Sequence, residues 1–449
     1  MKIAVPENVN KMIDQLEAAG YCAYAVGGCI RDSLLGITPH DWDICTAAVP
    51  EKVLEVLGKY NVIESGLKHG TVTVNYGGEL YEITTFRTDG EYLDNRRPES
   101  VTFVSSLKED LERRDFTVNA MAYNEADGLC DYFGGKEDIK NKLIRCVGNP
   151  DKRFNEDALR ILRALRFAAR FGFEMEEKTA VSIRENAHLL CNISAERIAS
   201  ELLQIIDGEY AEAILLSYSG VLGVVIPEIL PMVGFNQRNP HHIYDVWEHT
   251  VKVIVNSPHG KMMRLAALLH DIAKPECFFT DEKGTGHFHG HPELGAKMAE
   301  TIMRRLKLDN KTIESVKVLI KYHDQRPQTK AKNVRRLVSK IGCVAFENLM
   351  ELKRADAKGQ NPDKLAEKLA YIDRLGEIYT EVTSNGDEFN LKSLKINGND
   401  LIENGIKEGK QIGKILNQLL SEVIDGTLEN NREKLLTKAH NIIDKQFNT

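Results

Sequence analysis

The stretch "AVGGCIRDSLLGITPHDWDICTAA", residues 25–48, constrains the fold of this chain more than any other. A β-rich run, a glycine pair, a short helical pattern and a second β-rich run follow one another, so the segment reads as strand, turn, helix, strand. If "DWDIC" is a strand, its period of two puts Asp41 and Asp43 on one face and Trp42 on the other, where the indole enters the core. Two carboxylates roughly 6 to 7 Å apart can share hard cations, and Mg2+, an oxygen-seeking ion usually held by one or two carboxylates plus phosphates, suits them. Two such ions serve an in-line displacement at phosphorus. Gly27 and Gly28 let the backbone approach a ligand, the helix after them aims amides at an anion, and Arg31 adds a forked donor for phosphate oxygens. Glu82, in "YEITTF", is the candidate third carboxylate.

The rest of the chain divides around this segment. Residues 1–145 mix β-rich runs such as "TVTVNY" and "LYEITTFR" with helical patterns and glycine turns. From "DKRFNEDALRILRALRFAARFGF" onward, apolar residues recur at helical spacing with almost no strand signal. Nine of the 13 histidines fall between 241 and 323, after a break marked by Pro227, Pro231 and Pro240. The expected architecture is α+β: a head with a small mixed sheet over 1–145, a helical neck over 146–235, a histidine-rich helical domain over 236–360 and a C-terminal helical segment over 361–449. The eight cysteines form no CxxC pair, so packing thiols in a reducing, cytoplasmic setting are expected. No run reaches the roughly 18 apolar residues of a membrane span. The net charge of −7 excludes a surface that is basic throughout, so contacts to nucleic acid must be patches.

"VGGCIRDSLLG…DWDICT", followed by "RRDFTVNAMAY" and "DYFGGKEDI", resembles the head of the class II nucleotidyltransferases, the polymerase-β-like branch that holds bacterial CCA-adding enzymes and poly(A) polymerases. The resemblance runs over residues 20 to about 235. It implies transfer of nucleotides from CTP and ATP to the 3′ end of tRNA, with Asp41 and Asp43 holding Mg2+ and Gly28, Arg31 and Arg114 holding the triphosphate and sugar. Segment 86–101 would be the family's mobile loop. Arg113 and Asp115 read as charges at a helix start and are left outside the site.

"RFNEDALRILRALRF" spaces Asp157, Arg160, Arg163 and Arg166 three apart, which keeps neighbours close on one helical surface. An ionised aspartate only accepts hydrogen bonds and an arginine only donates them. Cytosine and adenine each present an amino donor beside a ring-nitrogen acceptor, whereas uracil and guanine present the reverse. One Asp and one Arg therefore accept C and A, and leave unsatisfied groups worth about 1 to 3 kcal/mol each against U or G. Read without the resemblance, the same residues make an arginine-rich helix with surface ion pairs. The family's EDxxRxxR motif matches Glu156, Asp157, Arg160 and Arg163.

A third constellation comprises "VWEHT", "ALLHDIAKP", "HFHGHPELG", "KYHDQ" and "RADAKGQ". Imidazoles and carboxylates without thiolates suit divalent first-row transition metals. The order of His249, His270, Asp271 and Asp356 resembles the HD superfamily of metal-dependent phosphohydrolases, which some CCA-adding enzymes carry behind the polymerase head. His287, His289, His291 and His323 leave the remaining ligands open. A poly(A) polymerase, a partial adder of CC or A, and a phosphohydrolase with a nucleotide-sensing head are the alternatives. The tRNA contacts are placed in the neck and in "GIKEGKQIGK", and the oligomeric state is left open.

Overall fold

A computed structural model of the chain describes residues 2–67, 70–90, 100–384, 391–405 and 409–447. It forms two compact units, Met1–Leu230 and Pro231–Thr449. Residues 91–99 of the expected mobile loop and 406–408 of the expected RNA-binding segment lie outside the described residues.

In the first unit, strands β1 (Ala23–Val26), β2 (Asp43–Thr46), β3 (Asn61–Gly66), β4 (Thr71–Tyr76) and β5 (Glu79–Thr85) join β8 (Met121–Asn124) and β9 (Gly128–Asp131) in one sheet. Its order is β3-β4-β5-β2-β1-β8-β9. β2 runs parallel to β5 and antiparallel to β1, which makes the sheet mixed as expected. β6 (Arg87–Asp89) and β7 (Val101–Phe103) form a separate antiparallel pair. One core packs helix Glu7–Ala18, through Val9, Met12, Ile13 and Leu16, with Trp42, Ile44, Val72, Val74 and Ile83. Spacings of three and four residues along that helix put its apolar side chains on one stripe facing the sheet.

The arginine-rich segment departs from the expected single helix. Helix Pro150–Glu156 stops at Asp157, whose backbone is extended (φ −139°, ψ 102°), and a new helix spans Leu159–Phe171. The Asp157 carboxylate accepts the Leu159 amide at 3.1 Å, a local bond that competes with helical continuation. Asp157 thus stands at a joint, not on the face that carries Arg160, Arg163 and Arg166. The second helix ends at Gly172, in the left-handed conformation (φ 68°), where a Cβ would press on the Tyr210 ring at 2.9 Å.

Buried polar contacts tie this helix to the head. Arg163 donates to Asp115 Oδ2 at 2.6 and 2.9 Å, and Arg160 donates to the Arg113 carbonyl at 3.1 Å. Arg31 lies over the Phe167 and Phe171 rings, 5.0 and 4.9 Å from their centroids, and donates to Asp32 and Asn119.

The second unit is almost wholly helical, with a two-stranded pair at Phe279–Thr280 and Gly286–His287 that the sequence pattern did not signal; a second such pair, Leu143–Ile144 with Glu174–Met175, lies in the first unit. Helix Val246–Asn256 begins with a capping box between Asp245 and Glu248, which satisfies two otherwise orphaned amides. Toward the C-terminus, Ile396, Leu401, Leu419, Leu435 and Ala439 make a separate small core. All eight cysteines are free thiols, and no described helix is long and apolar enough to cross a membrane.

Burial alone would raise the Asp115 carboxyl, but Arg163 and the Asn119 amide outweigh it and hold it at about 2. A folded-state pKa below the unfolded 3.8 adds stability that is full above about pH 4 and disappears as pH falls through about 2. Asp115→Asn should therefore cost about 2 kcal/mol or more at pH 7, with the difference shrinking below pH 4. Urea unfolding of both proteins across that range measures it, and a difference independent of pH would contradict the assignment.

Candidate active site

The head site begins at the edge where β2 meets β1 and β5. Asp41 and Asp43 are exposed while Trp42 between them is buried, the alternation a strand demands. Ile44 pairs with Ile83 in parallel register, so the residues before them, Asp43 and Glu82, share the opposite, open face. Loss of water around Asp43 raises its carboxyl; Arg114 opposes this, and the negative charges of Glu82 and Asp41 add to it. The three carboxylates and Arg114 therefore form one electrostatic group. They are not drawn to metal-ligand spacing: among the described residues, the donor groups that gather within 4.8 Å lie in the second unit.

Gly27 supplies the turn, with φ at +84° and its amide on the Met121 carbonyl at 3.0 Å. A Cβ there would stand 3.0 Å from Arg114 Nη1, so the glycine admits the guanidinium to the carboxylates. Arg114 is steadied by the fully buried Asp110, 3.3 Å away, which also holds Arg113 at 2.8 Å. Gly28 opens the short helix Gly28–Leu34, which has no side-chain cap. Arg31, three residues on, is buried with its donors on Asp32 and Asn119.

Three consecutive residues connect this group to the neck. Arg114 faces the carboxylates, Asp115 grips Arg163, and the Arg113 carbonyl receives Arg160. Asp157 Oδ2 accepts from Arg197 at 2.8 Å, Arg160 donates to Glu156 at 2.7 Å, and Arg166 pairs with Glu201 at 2.7 Å. The sequence pattern gives no sign of Asp110, Asn119, Arg197 or Glu201, and it places Asp115 outside the site. Asp115 had a signal, since it stands directly beside Arg114, but its partner is 48 positions away.

The second unit assembles the histidines at element ends. His249 sits in helix Val246–Asn256, His270 and Asp271 follow helix Lys261–Leu269, and His291 starts helix His291–Arg305. His323 closes helix Asn310–Tyr322, and Asp356 lies in helix Cys343–Lys358. His249 Nε2 is 3.3 Å from Asp271 and 3.2 Å from Asp356, and His270 Nε2 is 3.1 Å from Asp271. His291 and His323 join the cluster. His287 does not, being hydrogen-bonded to Asp281 at 3.0 Å on the surface. Burial disfavours charge on His249, yet Asp271 and Asp356 outweigh it and raise the imidazole to about 9. Asp271 is held well below the usual carboxylate range by His270 and Lys274 against its burial. Lys274 Nζ lies 2.7 Å from Asp271 Oδ2, but neither oxygen of that carboxylate has a hydrogen bond of good geometry. Such buried, under-satisfied donors fit a cation.

Residues 23–145 match the family described as Poly A polymerase head domain. Residues 172–232 match the family described as "Probable RNA and SrmB- binding site of polymerase A", and residues 291–439 the family described as "tRNA nucleotidyltransferase domain 2 putative". The chain is 35% identical to the CCA-adding enzyme of Geobacillus stearothermophilus over 94% of each chain. It is 32% identical to that of Ligilactobacillus salivarius over 98% of each. Among solved structures, the Bacillus stearothermophilus CCA-adding enzyme in complex with CTP superimposes with a TM-score of 0.69, at 28% identity and 98% coverage of both chains. Identity of this extent, along the whole chain and over the carboxylate site as well as the neck, places the protein in the family of CCA-adding tRNA nucleotidyltransferases.

Proposed function

We propose that this chain adds C, C and A to the 3′ end of tRNA from CTP and ATP, with the protein itself as the template. The observation that carries this is the run Arg113-Arg114-Asp115, which joins the carboxylates of the head to the arginines of the neck. Asp41 and Asp43, with Glu82 beside them, would hold Mg2+, which when bound supplies charge neutralisation at the reacting phosphate. The 3′-hydroxyl oxygen of the tRNA bonds to the α-phosphorus, the bond to the β-phosphate oxygen breaks, and pyrophosphate leaves while the hydroxyl proton passes to solvent. Gly28, Arg31 and Arg114 are assigned to the triphosphate and sugar. Arg31 reaches them only by exchanging a bond to Asp32 or Asn119. Asp157 and Arg160 are assigned to the base, with Arg163 and Arg166 setting their position. Arg197 and Glu156 occupy that pair in the free chain, so a base competes with charged partners and only one with the matching donor and acceptor displaces them. Most of the rate comes from positioning and electrostatics, so no nucleophilic side chain is required.

The working division is a head over 1–145, a neck over 146–235, a metal-binding domain over 236–360 and a tRNA-binding segment over 361–449, in a cytosolic protein. The tRNA is recognised by the shape of its stacked arm through phosphates and 2′-hydroxyls. The expected outcome with tRNA that lacks its last three nucleotides is addition of three residues and then arrest, using CTP and ATP and not UTP or GTP. Long A tails on an unstructured RNA would instead identify a poly(A) polymerase. Asp41→Ala and Asp43→Ala should each abolish addition without changing the circular dichroism spectrum, because both side chains are exposed. Normal turnover by both variants would move the active site elsewhere.

The buried cluster supports a second activity. His249, His270, Asp271 and Asp356 would hold a divalent transition metal, which supplies Lewis acidity for phosphate-ester hydrolysis. A water oxygen bonds to phosphorus, the P–O ester bond breaks, and the alcohol departs with a proton from the water. Replacing both His270 and Asp271 by Ala should remove hydrolysis of a chromogenic phosphate ester or a cyclic nucleotide while CCA addition persists. Wild type that hydrolyses neither with Mn2+, Co2+ or Ni2+ would reduce the cluster to a structural role.

A further inference from the structure

We infer that the cavity of the second unit carries an aromatic platform at its mouth, Phe279 with His287 and His289, that stacks the base of a nucleotide whose phosphate lies at the buried cluster; this rests on the reading of that cluster as a phosphate-ester hydrolase. The platform decides which esters the site takes, favouring nucleoside phosphates over sugar or glycerol phosphates.

The short strand pair builds it. Phe279 and His287 stand opposite each other in register, and their rings stack with centroids 5.4 Å apart and planes at 27°. His289, two residues on, comes to the same side, 5.1 Å from the Phe279 ring and 5.8 Å from that of His287. The alternate residues turn the other way: Phe278 and Phe288 pack on each other and on Phe235, with centroids 5.5, 5.2 and 6.5 Å apart. Apolar packing accounts for these inner rings and not for the outer three. Phe279 stays 43% exposed.

The platform is held in place within the free chain. His287 is hydrogen-bonded to Asp281 at 3.0 Å, and the same carboxylate accepts the Lys283 and Thr285 amides at 3.0 and 2.9 Å. Gly286 lies so close to the Gln237 carbonyl that a Cβ would collide with it. Its amide and carbonyl are tied to the Arg238 carbonyl and the Asn239 side chain at 2.8 and 3.1 Å. A flat surface ordered in advance loses little entropy on binding.

Its position beside the cluster points to a ligand. His287 and His289 line the same cavity of about 390 Å3 as Asp271, His291, His323 and Asp356. That volume lies in the range of small-molecule sites, ~300 to 1,000 Å3, and exceeds what a phosphate group fills. Lys321 and Arg326 add positive charge to the wall. Cluster and wall thus suit a phosphate, while the exposed rings suit a flat apolar group, and a nucleotide has both. Every base has a π-face, so the platform selects nucleotides as a class and not one base.

The test compares substrates with and without a base on the whole chain loaded with Mn2+: adenosine 5′-monophosphate against ribose 5-phosphate, and adenosine 2′,3′-cyclic phosphate against glycerol 1,2-cyclic phosphate. For the pair that is hydrolysed, kcat/KM should be about 10-fold or more higher with the base. Phe279→Ala should bring that ratio close to one by raising KM, and Phe279→Tyr should restore it. A ratio near one in the parent, or a ratio that Phe279→Ala leaves unchanged, would overturn the platform while leaving the hydrolase intact. Phe279→Leu, with an apolar side chain but no ring, takes the place of Phe279→Ala if that variant fails to fold. A trinucleotide ending in the same cyclic phosphate separates two sources of this chemistry: faster turnover than the free nucleotide assigns the platform to RNA ends, and slower turnover assigns it to free nucleotides. Should no substrate be hydrolysed with Mn2+, Co2+ or Ni2+, the hydrolase reading falls, and calorimetric titration with adenosine 2′,3′-cyclic phosphate decides. Weaker binding by Phe279→Ala than by the parent then supports the platform, and equal binding overturns it.

Discussion

The ion pair between Asp115 and Arg163 is the interaction on which the first unit depends. Its carboxylate is buried, two nitrogens of Arg163 meet on one oxygen of it, and the pair joins the segment that presents Arg114 to the helix that follows Asp157. Removing Arg163 leaves the buried Asp115 carboxylate without its counter-ion, which costs several kcal/mol. The same contact fixes where the neck sits relative to the carboxylates, so stability and geometry of the site are coupled. Arg31 reinforces it from the other side, since its guanidinium lies over Phe167 and Phe171 while binding Asn119, which itself donates to Asp115. Four residues from three segments thus form one polar network, and networks of this kind hold a unique arrangement only when every member is satisfied.

The two constellations differ in the chemistry they can support. The head offers exposed oxygens spread along strand edges, and a hard ion that keeps its waters and accepts phosphate oxygens suits that arrangement. The second unit offers buried imidazoles, those of His249, His270, His291 and His323 each with Nδ1 on a backbone carbonyl, which suits a softer ion. Separate compact units carry the two sites.

Much of this was legible in the sequence, for reasons that differ from residue to residue. The alternation of Asp41, Trp42 and Asp43 follows from a two-residue period, and Glu82 followed from the neighbouring β-rich run, so the carboxylate face could be read directly. The break at Asp157 could not, because apolar spacing continues through it; what ends the helix is one side chain capping the Leu159 amide. Asp115 resembled a charge at a helix start because its partner, Arg163, lies 48 positions along the chain. The HD pair was legible, yet the choice of His291 and His323 over His287 and His289 was not. It depends on which helix ends converge, and the short strand pair at Gly286–His287 turns His287 out to Asp281. Tertiary convergence of this sort leaves no periodic trace in a single sequence.

The central claim is that protein side chains, not a nucleic acid, choose the base. Equilibrium binding of CTP, ATP, UTP and GTP to the chain in the presence of Mg2+ and in the absence of tRNA tests it most directly. CTP and ATP should bind at least ~10-fold more tightly than UTP and GTP, the effect of one buried group left unsatisfied, and Asp157→Ala should narrow the gap. Equal affinity for all four nucleotides in the wild type would contradict it.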